Sequence, residues 1–167
     1  MLKASSLTLG AIEGTSLSEA EKDFISSRQP AGVTLFSRNL ESPKSLEPLT
    51  LAKNIQKLRK DSFPFVVAVD QEGGRVARFK HSNLDPGPAF YLGKDLTSDE
   101  ARLLIEDKTK LVGRSLLKLG VNVNFAPVVD ITFEESELKS CYIGDRAFAS
   151  TPELVTQRAS VYLEALE

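Results

Sequence analysis

The chain has 167 residues, 41% hydrophobic and 26% charged, with a formal net charge of −2. This is the length of one ordinary domain with a real core, and the near-neutral balance gives no reason to expect a nucleic acid or an anionic membrane as partner. The single cysteine, Cys141, excludes an internal disulfide, no apolar run reaches membrane-spanning length, and residues 1–9 lack the long apolar stretch of a signal peptide, so the expected compartment is the cytoplasm.

In chain order, residues 7–12 read as a short first strand. Ser18 opens the first helix, with Glu21 three residues on completing a capping box, and Pro30 ends it. Residues 33–36 are the second strand. Ser42-Pro43 starts the second helix with proline at its first position, and Leu46, Leu49, Ile55 and Leu58 supply its buried stripe. The run Phe65-Val66-Val67-Ala68-Val69 is a buried third strand. A Pro/Gly-rich loop follows, through Asp85-Pro86-Gly87-Pro88. Thr97 and Glu100 repeat the capping box before a third helix that runs to about Leu119, with Leu103, Leu104, Leu111, Leu116 and Leu117 apolar; Gly120 stops it. Residues 121–125 are the fourth strand. A loop of about 25 residues then carries Asp130, Cys141, Asp145 and Arg146, a length that usually marks function. Thr151-Pro152 opens a fourth helix that reaches Glu167. Four strand-then-helix units imply an α/β fold: a parallel sheet with right-handed crossovers.

The chemistry concentrates in Asp70-Gln71-Glu72-Gly73-Gly74-Arg75-Val76-Ala77-Arg78-Phe79. The third strand fixes Asp70 at its carboxyl end. Gly73 and Gly74 allow backbone angles that side chains forbid. Arg75 and Arg78 offer planar donor forks. Neither a Gly-x-Gly-x-x-Gly nor a Walker pattern is present, so a phosphate cradle is disfavoured. His81, the only histidine, lies in the polar run Lys80-His81-Ser82-Asn83 and reads as a solvated loop residue. One Cys and one His cannot build a structural zinc site, and no metal or organic cofactor is implied.

The Asp70–Phe79 segment resembles the signature of glycoside hydrolase family 3, in its bacterial β-N-acetylhexosaminidase branch. Gly32-Val33-Thr34-Leu35-Phe36-Ser37-Arg38-Asn39, Gly120-Val121-Asn122-Val123-Asn124-Phe125-Ala126-Pro127-Val128-Val129-Asp130-Ile131 and Ile143-Gly144-Asp145-Arg146-Ala147-Phe148 are similar to further motifs of that family, in its order. The chain departs from it at Asn83-Leu84-Asp85-Pro86, where the family carries an Arg-Leu-Pro element. The resemblance implies a (β/α)8 barrel, of about 250 residues or more, of which residues 1–167 would be the N-terminal half. It implies that Asp70, Arg78 and Arg146 bind the sugar, with Arg75, Asp130 and Asp145 behind them. Arg75 is expected to order its loop or to pair with Glu72 or Asp130. No catalytic residue is expected in this chain: the family's histidine and aspartate nucleophile would lie beyond Glu167. The implied substrate is a terminal β-linked N-acetylglucosamine of peptidoglycan fragments. A β-glucosidase or β-xylosidase of the same family, or a non-catalytic sugar-binding half-barrel, are the alternatives. Half a barrel leaves its first and fourth strands unpaired and its inward faces, including Val33, Leu35, Val67, Val69 and Val123, uncovered. Self-association, or pairing with a C-terminal half, is therefore expected.

Overall fold

The computed structural model describes residues 7–42, 44, 49–58, 65–94 and 96–167, without the side chains of 136, 139 and 140. In chain order the elements are β1 (Leu9–Ala11), α1 (Glu19–Arg28), β2 (Gly32–Leu35), α2 (Thr50–Lys57), β3 (Val66–Val69), β4 (Gln71–Gly73), β5 (Val76–Ala77), α3 (Ser98–Leu119), β6 (Val123–Asn124) and α4 (Pro152–Glu164). β1, β2, β3 and β6 form one sheet in that order, with every neighbouring pair parallel. The expected parallel α/β arrangement is therefore present.

Both capping boxes form. Ser18 Oγ accepts the Glu21 amide while Glu21 accepts the Ser18 amide at 2.8 Å. Thr97 and Glu100 make the same reciprocal pair at the head of α3. Gly120 closes α3 at φ 91°, in the left-handed region that a Cβ disfavours. The second helix departs from expectation. Ser42 and Lys44 are non-helical, and α2 begins at Thr50. The Leu49 amide donates to the Leu119 carbonyl at 3.1 Å, which ties the start of α2 to the end of α3. Pro43 and Leu46 lie outside the described residues.

Strand alternation sets which side chains meet the helices. Register places Val33 beside Val67 and Leu35 beside Val69 on one face, and Thr34, Ala68 and Val123 on the other. The first four belong to the main core, with Ile25 of α1, Leu51 and Ile55 of α2, and Leu116 and Leu119 of α3. They are at most 2% exposed. This corrects the expectation that Val33, Leu35, Val67 and Val69 point inward: they are the helix-facing set. A second cluster joins Ile105 of α3 to Val155, Ala159 and Tyr162 of α4, with Phe148 between. α3 turns Ala101, Ile105, Val112, Leu116 and Leu119 to the core and leaves Leu103, Leu111 and Leu117 exposed.

One element has no counterpart in the sequence reading. β4 and β5 form a small antiparallel hairpin directly after β3. Its turn uses Gly73 at φ 107° and Gly74 at φ 56°. A Cβ on Gly73 would lie 2.3 Å from the Gly87 carbonyl oxygen, so the Pro/Gly-rich loop packs where only glycine fits.

Candidate functional site

β3 delivers Asp70 to the carboxyl end of the sheet. Arg78, just after β5, reaches back and places Nη2 2.8 Å from Asp70 Oδ2; each side chain is about a quarter exposed. A pair this wet adds little stability, so its consequence is orientation. The Arg78 guanidinium also lies 5.8 Å from the Phe36 ring centroid at the end of β2. Its Nε is buried and makes no hydrogen bond.

Arg146, on the loop after β6, meets Glu72 in a two-pronged pair. Nε and Nη2 donate to the two carboxylate oxygens, each at 2.7 Å, and the Glu72 side chain is only 9% exposed. Such a fork fixes both planes. The hydrogen bond to Glu72 is the main force raising the Arg146 pKa above its ordinary value, and the charges of Glu72, Asp130 and Asp70 add to it. Asp70, Arg78, Glu72, Arg146 and Asp130 thus share one mouth at the strand ends. Asp130 itself is exposed.

Arg75 pairs with neither Glu72 nor Asp130. Both Glu72 oxygens are taken by Arg146. Arg75 instead sets Nε 3.1 Å from Asp145 Oδ1 and donates from Nη2 to the carbonyls of Tyr142 and Ile143. It orders the loop, tying the β4–β5 turn to the segment that carries Arg146.

Gln71 organises the hairpin. It is completely buried. Its Oε1 accepts the amides of Arg78 and Phe79 at 2.8 and 2.9 Å, and its Nε2 donates to the carbonyls of Phe79 and Leu84 at 3.1 and 2.6 Å. Asn124 on β6 clasps the Gln71 backbone, accepting its amide and donating to its carbonyl, both at 3.0 Å. Asn124 also donates to Tyr162 Oη on α4 at 3.2 Å. Burial pushes the Tyr162 phenol up to about 12; the Asn124 bond opposes this and the Glu72 charge adds to it. Asp85 accepts the amides of Gly74 and Gly87 at 2.8 and 3.0 Å, so the Asn83-Leu84-Asp85-Pro86 element closes the hairpin turn in its own way.

Gln71, Asn124, Tyr162 and Asp85, and the role of Glu72 as the Arg146 partner, were not anticipated. The one signal for the first was a polar residue two positions past a buried strand, between Asp70 and Glu72. His81 is half-buried, and its Nδ1 accepts the Asn83 amide at 3.0 Å, which closes a local turn. Hydrogen bonding from the Gly144 amide is the first cause lowering the Cys141 thiol pKa. Among the described residues no group of three His, Cys, Asp or Glu could hold a metal ion, and no helix is long and apolar enough to cross a membrane.

Parallel strands that each lead to a helix, with polar side chains gathered at the strand carboxyl ends, have the layout of barrel-type α/β enzymes. The chain belongs to glycosyl hydrolase family 3, whose N-terminal domain matches residues 2–167. A β-hexosaminidase of Alkalilimnicola ehrlichii is 42% identical over 150 residues, covering 89% of this chain and 41% of that protein. One of Nitrosomonas eutropha is 38% identical over 158 residues, covering 93% and 43%. Native NagZ from Neisseria gonorrhoeae superposes with a TM-score of 0.81 at 27% identity, over 97% of this chain and 45% of that one. The chain therefore spans less than half the length of these relatives. The structural likeness supports the expected barrel-type fold, with this chain covering its N-terminal part.

Proposed function

We propose that this chain is the sugar-binding, N-terminal half of the barrel of a β-N-acetylhexosaminidase, and that Asp70, Arg78 and Arg146 hold a terminal β-linked N-acetylglucosamine. The observation that carries this reading is their convergence, from the Asp70–Phe79 segment and from the loop after β6, at the strand carboxyl ends. The Asp70 carboxylate can accept two neighbouring sugar hydroxyls in charge-assisted bonds. Arg78 holds that carboxylate in place. Arg146 is locked by Glu72 along one edge of its fork, which leaves the rest of a rigid, permanently charged donor facing the ligand. Arg75, with Asp145, supports the Arg146 loop, and Asp130 contributes charge beside it.

The reaction in this reading is retaining hydrolysis. A carboxylate nucleophile attacks the anomeric carbon, an acid protonates the departing oxygen, and water then resolves the glycosyl-enzyme. Those groups belong to the complementary part of the barrel and not to residues 1–167. The finer assignment is a peptidoglycan fragment processed in the cytoplasm. It is supported by the likeness of the Asp70–Arg75 motif to that branch and by the single thiol.

The test is hydrolysis of chromogenic N-acetyl-β-glucosaminide, β-glucoside and β-xyloside. The 167-residue chain alone is expected to release negligible chromophore. A polypeptide that also carries the complementary part is expected to prefer the N-acetylated substrate. Preference for the glucoside or xyloside, or full activity after Asp70→Ala, overturns the assignment. The alternative reading is a sugar-binding half without turnover of its own. Calorimetric binding of N-acetylglucosamine by the chain, with no activity after the complementary part is added, would select it.

A further inference from the structure

Cys141 lies among donors that the sugar-binding reading does not use. Its amide donates to the Leu138 carbonyl at 3.3 Å, which turns the chain back before Tyr142. Ile143 follows with φ −71° and ψ −53°, and Gly144 with φ 49°. A right-handed residue before a left-handed one forms a concavity of main-chain N–H groups that suits an anion. The amides of Gly144 and Ile143 both donate to the Cys141 sulfur. A Cβ on Gly144 would lie 2.8 Å from the Leu138 carbonyl oxygen and 3.3 Å from Arg75 Nη2, so the turn and the guanidinium hold this concavity from two sides. Cys141 itself is partly exposed.

Thr132 marks the sulfur as a site. Its amide donates to the Ala149 carbonyl at 3.0 Å, and the residue is only 6% exposed. Its Oγ1 is buried without a hydrogen bond of normal geometry, and it faces the Cys141 sulfur. A buried hydroxyl left in this way is the exception in folded proteins. Thiol sulfur is a weak acceptor; an oxygen bonded to that sulfur is a strong one.

We propose that Cys141 is an oxidative modification site: a hydroperoxide converts its sulfur to a sulfenic acid, whose added oxygen accepts the Thr132 hydroxyl. The thiolate attacks the peroxide oxygen that carries the proton. The S–O bond forms as the O–O bond breaks, the sulfur gives up two electrons, and the peroxide is reduced. The departing oxygen takes a proton from solvent and leaves as water or an alcohol. The Gly144 amide is the main force holding the thiol below its ordinary pKa; burial opposes it, and the Ile143 amide, the Thr132 hydroxyl and the Arg75 charge add to it. Reactive cysteines occupy such electropositive, partly exposed surroundings, and their oxidation follows thiolate character. All of these groups lie between residues 75 and 149, and the inference is independent of the sugar-binding reading.

The experiment treats the 167-residue chain with hydrogen peroxide at pH 7 in the presence of dimedone, which traps sulfenic acids, and follows the adduct by mass spectrometry. Cys141 is the one cysteine of the sequence, so the adduct reports it alone. The same chain unfolded in urea gives the reference rate, since an unperturbed thiol is only a few per cent thiolate at this pH. The folded chain is expected to form the adduct at least about fivefold faster. Thr132→Val removes the hydroxyl at nearly constant volume and is expected to lose at least about half of that advantage, whereas Thr132→Ser keeps it; neither changes the rate in urea. Circular dichroism checks that both variants fold. A folded chain that reacts no faster than the unfolded one, oxidation without a dimedone adduct, or a folded Thr132→Val chain as fast as wild type overturns the proposal. If Thr132→Val does not fold, the wild-type ratio of folded to unfolded rates decides it.

Discussion

Gln71→Leu is the most informative single change. Leucine nearly matches glutamine in volume, so no large cavity forms, and the effect isolates the amide. In the native structure that amide satisfies two main-chain N–H groups and two carbonyls. Three of the four belong to Phe79 and Leu84, which are fully buried. A buried polar group left without a partner costs about 1–3 kcal/mol. Three such groups, partly relieved by local shifts, give a loss of roughly 3–5 kcal/mol. That is a large share of the roughly 5–15 kcal/mol that holds a domain together. Urea unfolding followed by circular dichroism, at one fixed chain concentration, measures it. The midpoint is expected to fall sharply, and Gln71→Glu is expected to behave alike, since a carboxylate cannot donate to the Phe79 and Leu84 carbonyls. A Gln71→Leu chain within about 1 kcal/mol of wild type would show that the amide does not hold the hairpin, and the account of how Arg78 is aimed at Asp70 would fail with it.

Three other outcomes follow from the same geometry. Gly73→Ala places a methyl group 2.3 Å from the Gly87 carbonyl oxygen at φ 107°, and is expected to cost at least about 2 kcal/mol in the same unfolding assay. The Tyr162 phenol, raised to about 12 from its usual 10, contributes stability that is complete below pH 10 and is lost as pH rises toward 12; the expected slope is about 1.4 kcal/mol per pH unit, and Tyr162→Phe should flatten the urea midpoint over that window. In a catalytically complete polypeptide, Asp70→Ala is expected to lose about 2 kcal/mol of transition-state stabilisation, roughly 30-fold in kcat/KM, while His81→Ala changes turnover little.

Local signals were legible in the sequence. Ser18 with Glu21, Thr97 with Glu100 and Gly120 announce helix ends because their chemistry acts within a few residues. The apolar run before Asp70 announces a buried strand ending in a carboxylate. What escaped was non-local. The partner of Arg146 is Glu72, 74 residues away, and nothing in the spacing tells whether Glu72 turns to Arg75 or to Arg146. The β4–β5 hairpin has no strand period to read, since β5 is two residues long and a side-chain amide holds the turn together. Val33, Leu35, Val67 and Val69 were assigned to the wrong face because both faces of this sheet are apolar or small, so alternation marks two sets without saying which one meets the helices. The start of α2 at Thr50 is set by contact with the end of α3, a constraint that no capping residue records.

The Asn124 clasp on Gln71 bears on the order in which the structure assembles. The amide of Gln71 is held by a side chain of β6, and that side chain is in turn held by Tyr162 of α4. Formation of the sheet alone therefore leaves the Asn124 side chain without its Tyr162 anchor, and the clasp on Gln71 weaker, until the last helix has docked. Amide exchange should report this directly: protection at Gln71 is expected to rise and fall with that of the buried α4 amides around Tyr162, and to be lost earlier than that of Val67 and Ala68 in the centre of the sheet.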